Sequence, residues 1–146
     1  LILLTSEIEI MASYDHARRQ RLAINALRWL LATVFVTAGV AKLAGVPAMV
    51  EAFEHIGLGQ WFRYVTGAIE AGSAVLLLTH RFVAVGALLL VCTMMGAIVA
   101  HLTVAPGSLI PAAILLTLSA TIAFFYRDQM LGLASAIRPT SEMERN

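Results

Sequence analysis

Of the chain's 146 residues, 60% are hydrophobic and only 13% charged, and the mean hydropathy of +0.84 lies well outside the range of soluble domains. A formal net charge of +1 supplies no basic field, which excludes nucleic acid as a partner. The single cysteine, Cys92, lies in an apolar run, so one chain can build neither a disulfide framework, a CxxC redox centre nor a thiolate metal cage, and no metal site is expected.

Residues 1–25 read as a cytoplasmic segment ahead of the membrane. The chain opens on Leu1, whereas Met11 begins a stretch that reads like a natural start, so residues 1–10 are expected to be upstream translation or an added piece. With Glu7 and Glu9 they are too short and too acidic for a secretory signal.

Residues 26–126 hold four apolar stretches, 26–44, 61–79, 82–103 and 109–126. A bilayer core of about 30 Å takes about 20 helical residues, so the pattern predicts an all-α fold, a four-helix transmembrane bundle. Between the first two spans, Pro47 is placed to open a short interfacial helix with Met49, Phe53 and Ile56 on one face and Glu51, Glu54 and His55 elsewhere. Thr79, His80 and Arg81 make a tight turn that pairs the second and third spans antiparallel. Ser108 and Pro111 suit the start of the fourth. Residues 127–146 read as a cytoplasmic tail, polar and loose from Pro139 onward. No internal repeat is apparent.

Lys and Arg are retained on the cytoplasmic side of a membrane. Arg18, Arg19, Arg21, Arg28, Arg81, Arg127, Arg138 and Arg145 fall on one face and only Lys42 and Arg63 on the other, eight against two. This asymmetry predicts a multi-pass protein of the cell (plasma) membrane with both termini cytoplasmic, N-in and C-in. Trp29, Trp61, Tyr64 and Tyr126 fall at span ends, where aromatic belts form.

Function in such a bundle is sought at ionisable groups inside the membrane, each of which costs several kcal/mol unless paired or hydrated. Lys42, Glu70 and His101 qualify. Counting from the cytoplasmic arginines at 1.5 Å per residue, they lie roughly 21, 16 and 30 Å deep, all in the outer half and on three helices. Lys42 either snorkels to the outer headgroups or turns inward, and Glu70, with a short side chain far from a helix end, is expected to pair with it. His101 reads equally as an interfacial anchor or a site residue able to exchange protons. Cys92, Met94 and Met95 read as packing, as do the small pairs Gly67/Ala71, Ala68/Gly72 and Gly96/Ala100.

The stretch RWLLATVFVTAGVAKLAG, then FEHIG, TGAIEAG and MGAIVAHL, resembles the DoxX-like family of small four-helix membrane proteins. The matching residues are Arg28, Phe35, Gly39 and Lys42, then Gly67, Glu70 and Gly72, then Ala97 and His101, and the resemblance runs over residues 28–126. Some members are membrane subunits tied to quinone-linked oxidoreductases acting on sulfur compounds; others are accessory factors. The resemblance implies a subunit or accessory factor of a membrane-associated oxidoreductase system, with an oxidoreductase subunit or a second copy as partner besides the bilayer. It implies no covalently bound cofactor, and a quinone-like lipophilic molecule held at Lys42, Glu70 and His101. Whether the chain is itself an enzyme stays open: a quinone-reducing or quinol-oxidising centre would need an electron donor. A proton-coupled exporter, which carries its glutamate in the first span, and a purely structural or assembly protein are the alternatives.

Overall fold

Long apolar runs without internal proline propagate as helix, and the chain's regular structure follows from them. The computed structural model describes residues 2–104 and 107–137. It contains α1 (Ile2–Leu43), α2 (Pro47–Ile56), α3 (Gln60–Leu78), α4 (Val83–Thr103), α5 (Ile110–Phe125) and α6 (Arg127–Ile137). No strand occurs among the described residues. The end of the chain read as loose, 139–146, lies outside them.

Glycine sets the turn after α1. Gly45 adopts a left-handed φ of 72°, its N–H bonds the Lys42 carbonyl and the Val46 N–H bonds the Ala41 carbonyl, so two otherwise orphaned acceptors are satisfied as the helix stops. Pro47 then opens α2, whose missing donor costs nothing in a first turn. Phe53 of α2 is buried with its ring 5.9 Å from that of Phe62 on α3, Met49 and Ile56 are half-buried, and Glu51, Glu54 and His55 are exposed. The Gln60 Nε2 amide also donates to the Val50 carbonyl at 3.1 Å, fastening α2 to α3. The tight turn around Thr79 leads into α4, and at the start of α5 the Ile110 N–H donates to Ser108 Oγ at 3.2 Å, with Pro111 in the first turn.

The four longest apolar helices close into a ring in which α1 packs on α3, α3 on α4, α4 on α5 and α5 back on α1. α1 has 42 residues, about 63 Å of helix, and is continuous through the segment read as separate; Met11 to Arg21 project from the bundle and are exposed. α6 was not foreseen: Met130, Leu133, Ala134 and Ile137 do recur at helical spacing, but the segment is short and its overall hydropathy is low beside the apolar runs before it. It follows Tyr126 at once and is tied down by Gln129, whose Nε2 donates to the His80 carbonyl at 2.9 Å and whose Oε1 accepts from the Ala84 N–H at 3.4 Å.

The bundle carries its bulk outward. Ala32, Ala74, Ala87, Ala112, Ser73 and Ser119 fill the interior beside Phe35, Leu77, Leu90 and Ile122, whereas Val40, Val75, Val99, Leu102, Ile110, Ile114 and Phe124 are each more than half exposed. Water would penalise such a surface and lipid does not, while small interior residues let helices approach closely. Residues Met11–Leu43 of α1 and all of α4 are long and apolar enough to cross a membrane; α5 is a shorter apolar helix, and α3 carries Arg63 and Glu70.

Two packing expectations are corrected. Gly67/Ala71 does lie at a helix contact, but Gly72 and Gly96 are exposed with open space where a side chain would stand. Small-xxx-small spacing does not say which face looks inward. The closer approach is at Gly86 of α4, where an added Cβ would stand 2.7 Å from the Ser73 carbonyl. Met94 packs in the core as expected, but Cys92 and Met95 are exposed on the apolar surface.

Candidate functional site

The candidate site lies along the α1–α3 seam. Its closeness depends on two glycines: a Cβ on Gly39 would come within 2.8 Å of the Gly67 carbonyl oxygen, and one on Gly67 within 3.0 Å of the Gly39 carbonyl. Bare backbone against backbone lets side chains above and below this crossing reach across to the opposite helix.

They do so reciprocally. At the α6 end of the seam, Arg28 of α1 donates from Nε (3.1 Å) and Nη2 (2.8 Å) to the Leu77 carbonyl near the end of α3. Its Nη1 donates to Asn25 Oδ1 and Tyr126 Oη, both at 3.1 Å, and the Tyr126 ring centre lies 5.4 Å from the guanidinium carbon. At the α2 end, Arg63 of α3 donates from Nη1 to the Lys42 carbonyl near the end of α1, and from Nε to Gln60 Oε1 at 2.7 Å. Its guanidinium stands 4.3 Å over the Tyr64 ring. Fourteen residues separate Arg28 from Lys42, and the same number separates Arg63 from Leu77, so each arginine caps the helix opposite. Both are buried, at 8% and 4% exposure. A cation at a helix C-terminus complements the macrodipole and satisfies carbonyls that have no partner within the helix.

Lys42 and Glu70 meet on this seam. The Lys42 Nζ lies 2.6 Å from Glu70 Oε2, and the two side chains are 14% and 4% exposed. A charge-assisted bond of this length in a desolvated setting has each group neutralising its partner. Arg63, holding the backbone carbonyl of Lys42 itself, fixes the point from which the ammonium extends. The sequence had placed Arg63 only as a marker of the outer face; its contribution to the site emerges from the fold.

His101 does not join them. Its Nδ1–H donates to the Ala97 carbonyl of its own helix at 2.8 Å, and among the described residues no hydrogen bond or ion pair links it to Lys42 or Glu70. The reason is helix placement: the pair occupies the α1–α3 seam, whereas α4 packs on α3 and α5. His101 and the pair share an end of the bundle but, among the described residues, neither a hydrogen bond nor an ion pair. No group of three or more metal-ligating side chains gathers among the described residues.

The seam and its turn fall within one stretch of sequence, and that stretch decides the family. The DoxX family model matches residues 23–103. The chain belongs to the DoxX family. The match takes in Arg28, Lys42, Arg63, Glu70 and His101, from α1 to the end of α4, a shorter stretch than the resemblance read from the sequence. The chain is also 37% identical over 86 residues to the uncharacterized protein YdgD of Bacillus subtilis (strain 168), covering 56% of this chain and 75% of that protein. No solved structure matches. DoxX membership and the apolar exterior together make this a membrane-associated helical protein.

Proposed function

We propose that this DoxX-family protein crosses the cell membrane four times, through α1, α3, α4 and α5, with both termini cytoplasmic. In this reading it serves as a subunit or accessory factor of a membrane-associated oxidoreductase system and holds a quinone-like lipophilic molecule in the outer-leaflet half. The observation that carries it is the Lys42–Glu70 pair, buried in a bundle whose exterior is apolar. Two ionised groups are costly to bury, and a polar headgroup supplies them with further partners while its tail lies among apolar helices. Lys42 uses one of its three N–H donors on Glu70, leaving two for a carbonyl or hydroxyl of the ligand. His101 stands at the same end as an acceptor or proton carrier at the rim.

Purification in mild detergent tests the reading. Lipid extracts of the purified protein are expected to contain quinone, and Lys42→Met and Glu70→Gln to lose it while remaining helical. Undiminished quinone in both variants would remove the ligand role from the pair. It would favour instead a structural pair, a reading supported by the mutual satisfaction of the two groups at 2.6 Å. Co-purification of an oxidoreductase subunit separates the accessory role from that of a proton-coupled transporter.

The orientation has its own test. On a Cys92→Ser background, a cysteine introduced at Ser108 is expected to react with a membrane-impermeant maleimide from outside intact cells. Reaction only after the cytoplasmic side is opened would reverse the topology.

A further inference from the structure

At the α6 end of the bundle, away from the Lys42–Glu70 pair, α4, α5 and α6 border an open groove of about 370 Å³. Ala84, Leu88, Ala123, Met130 and Leu131 line it, and Arg127 stands at its lip. A comparable groove along α5, lined by Leu109, Ile110 and Ile114 among others, has no charged residue beside it and gives no indication of a particular occupant. The arginine makes the difference. Its guanidinium lies 4.4 Å over the Phe124 ring, and its Nε is 4.0 Å from the carboxylate of Asp128, a side chain 88% exposed. At the limit of an ion pair and open to water, that contact leaves the terminal amino groups of Arg127 available.

A second cation lies on the adjoining turn. Gln129 bonds the His80 carbonyl and the Ala84 N–H, drawing the turn that carries Arg81 against the first turn of α6. Arg81 is exposed and stands three residues before Ala84 of the groove floor. The geometry points to a site for one anionic phospholipid: an acyl chain in the groove and the phosphate between Arg127 and Arg81. An arginine at the lip of an apolar trough, with a second exposed on the turn next to it, complements a head that is negative and a tail that is not, as in other basic pockets at the cytoplasmic ends of membrane helices. The leaflet assigned to this lipid rests on the orientation proposed above, but the binding itself does not, because both leaflets of a synthetic bilayer can be given the same composition.

The test is native mass spectrometry of the full chain exchanged into dioleoyl phosphatidylglycerol and dioleoyl phosphatidylcholine at equal concentration. The protein is expected to retain the anionic lipid about thirtyfold over the zwitterionic one. Arg127→Gln and Arg81→Gln should each lower that preference about fivefold, and the double variant should abolish it. Ala123→Phe, which fills the groove without changing charge, should reduce retention of both lipids. Circular dichroism checks that each variant keeps its helix content, and Ala123→Val serves as a milder filling variant should Ala123→Phe not fold. Equal retention of the two lipids by the unaltered protein overturns the proposal, as does a preference that survives the double variant. Displacement by millimolar inorganic phosphate with no requirement for a chain would show an anion site only. A chain dimer lost on Ala123→Phe would give the groove to a second copy.

Discussion

Replacing Arg28 by methionine is expected to lower the stability of the bundle by about 1–3 kcal/mol. The side chain is 8% exposed and donates to the Leu77 carbonyl twice, to Asn25 and to Tyr126, so it joins α1 to the end of α3 and to the residue that follows α5. Methionine fills much of the volume but leaves the buried Leu77 carbonyl without its donor, at a cost of about 1–3 kcal/mol, whereas the exposed Asn25 amide can turn to water and the half-buried Tyr126 hydroxyl loses less. Arg28→Lys should recover only part of the loss, because a point ammonium cannot serve three acceptors held in the geometry of a planar fork. Unfolding in mixed micelles measures both. A change below about 1 kcal/mol for Arg28→Met, the range of an exposed ion pair, would mean that the clamp contributes little.

The second large effect is expected at Gly39. A valine there needs space already occupied by the Gly67 carbonyl oxygen at 2.8 Å and the Ala71 nitrogen at 2.9 Å, both backbone atoms that cannot rotate aside. The helices must separate, and overpacking of this kind costs about 1–3 kcal/mol or more. Because the seam carries both arginine clamps and the Lys42–Glu70 bond, Gly39→Val should also weaken interactions at both ends. Gly72→Ala is the control: its Cβ meets nothing within 4 Å, and the change should stay within about 0.5 kcal/mol. Comparable losses for the two variants would place the seam elsewhere.

The legible parts of the fold are those that composition and periodicity control. The apolar runs, the helix opened by Pro47 with Phe53 inward, and the turn at Thr79 all follow from patterns within a few residues of one another. The Lys42–Glu70 contact was within reach because the depth of a residue in a span can be counted. The arginine clamps were not. Arg28 and Arg63 bond backbone carbonyls, and every residue has a carbonyl, so their partners leave no mark in composition. The sequence marks both as charges near a membrane surface, and Arg28 also as part of the family pattern, but neither as a clamp. A signal did exist in the Arg–aromatic pairs Arg28–Trp29 and Arg63–Tyr64, each standing at the start of its span and followed at the same distance, on its own helix, by the residue whose carbonyl the other arginine caps. His101 failed to join the pair because depth arithmetic fixes height along the bundle but not rotation around it. The same missing rotation sent the small-residue reading to Gly72 and Gly96 rather than Gly86.

Lys42 and Glu70 form one desolvated unit inside the bundle, and a double-mutant cycle on thermal unfolding measures their dependence on each other. Lys42→Met and Glu70→Gln are each expected to destabilise by about 3–5 kcal/mol, since each leaves its partner without the compensating group. The double variant should regain part of that loss, giving a coupling of about 0.5–3 kcal/mol between positions whose side chains touch at 2.6 Å. Strict additivity would mean that the ammonium and the carboxylate do not depend on each other, contradicting the account of the seam.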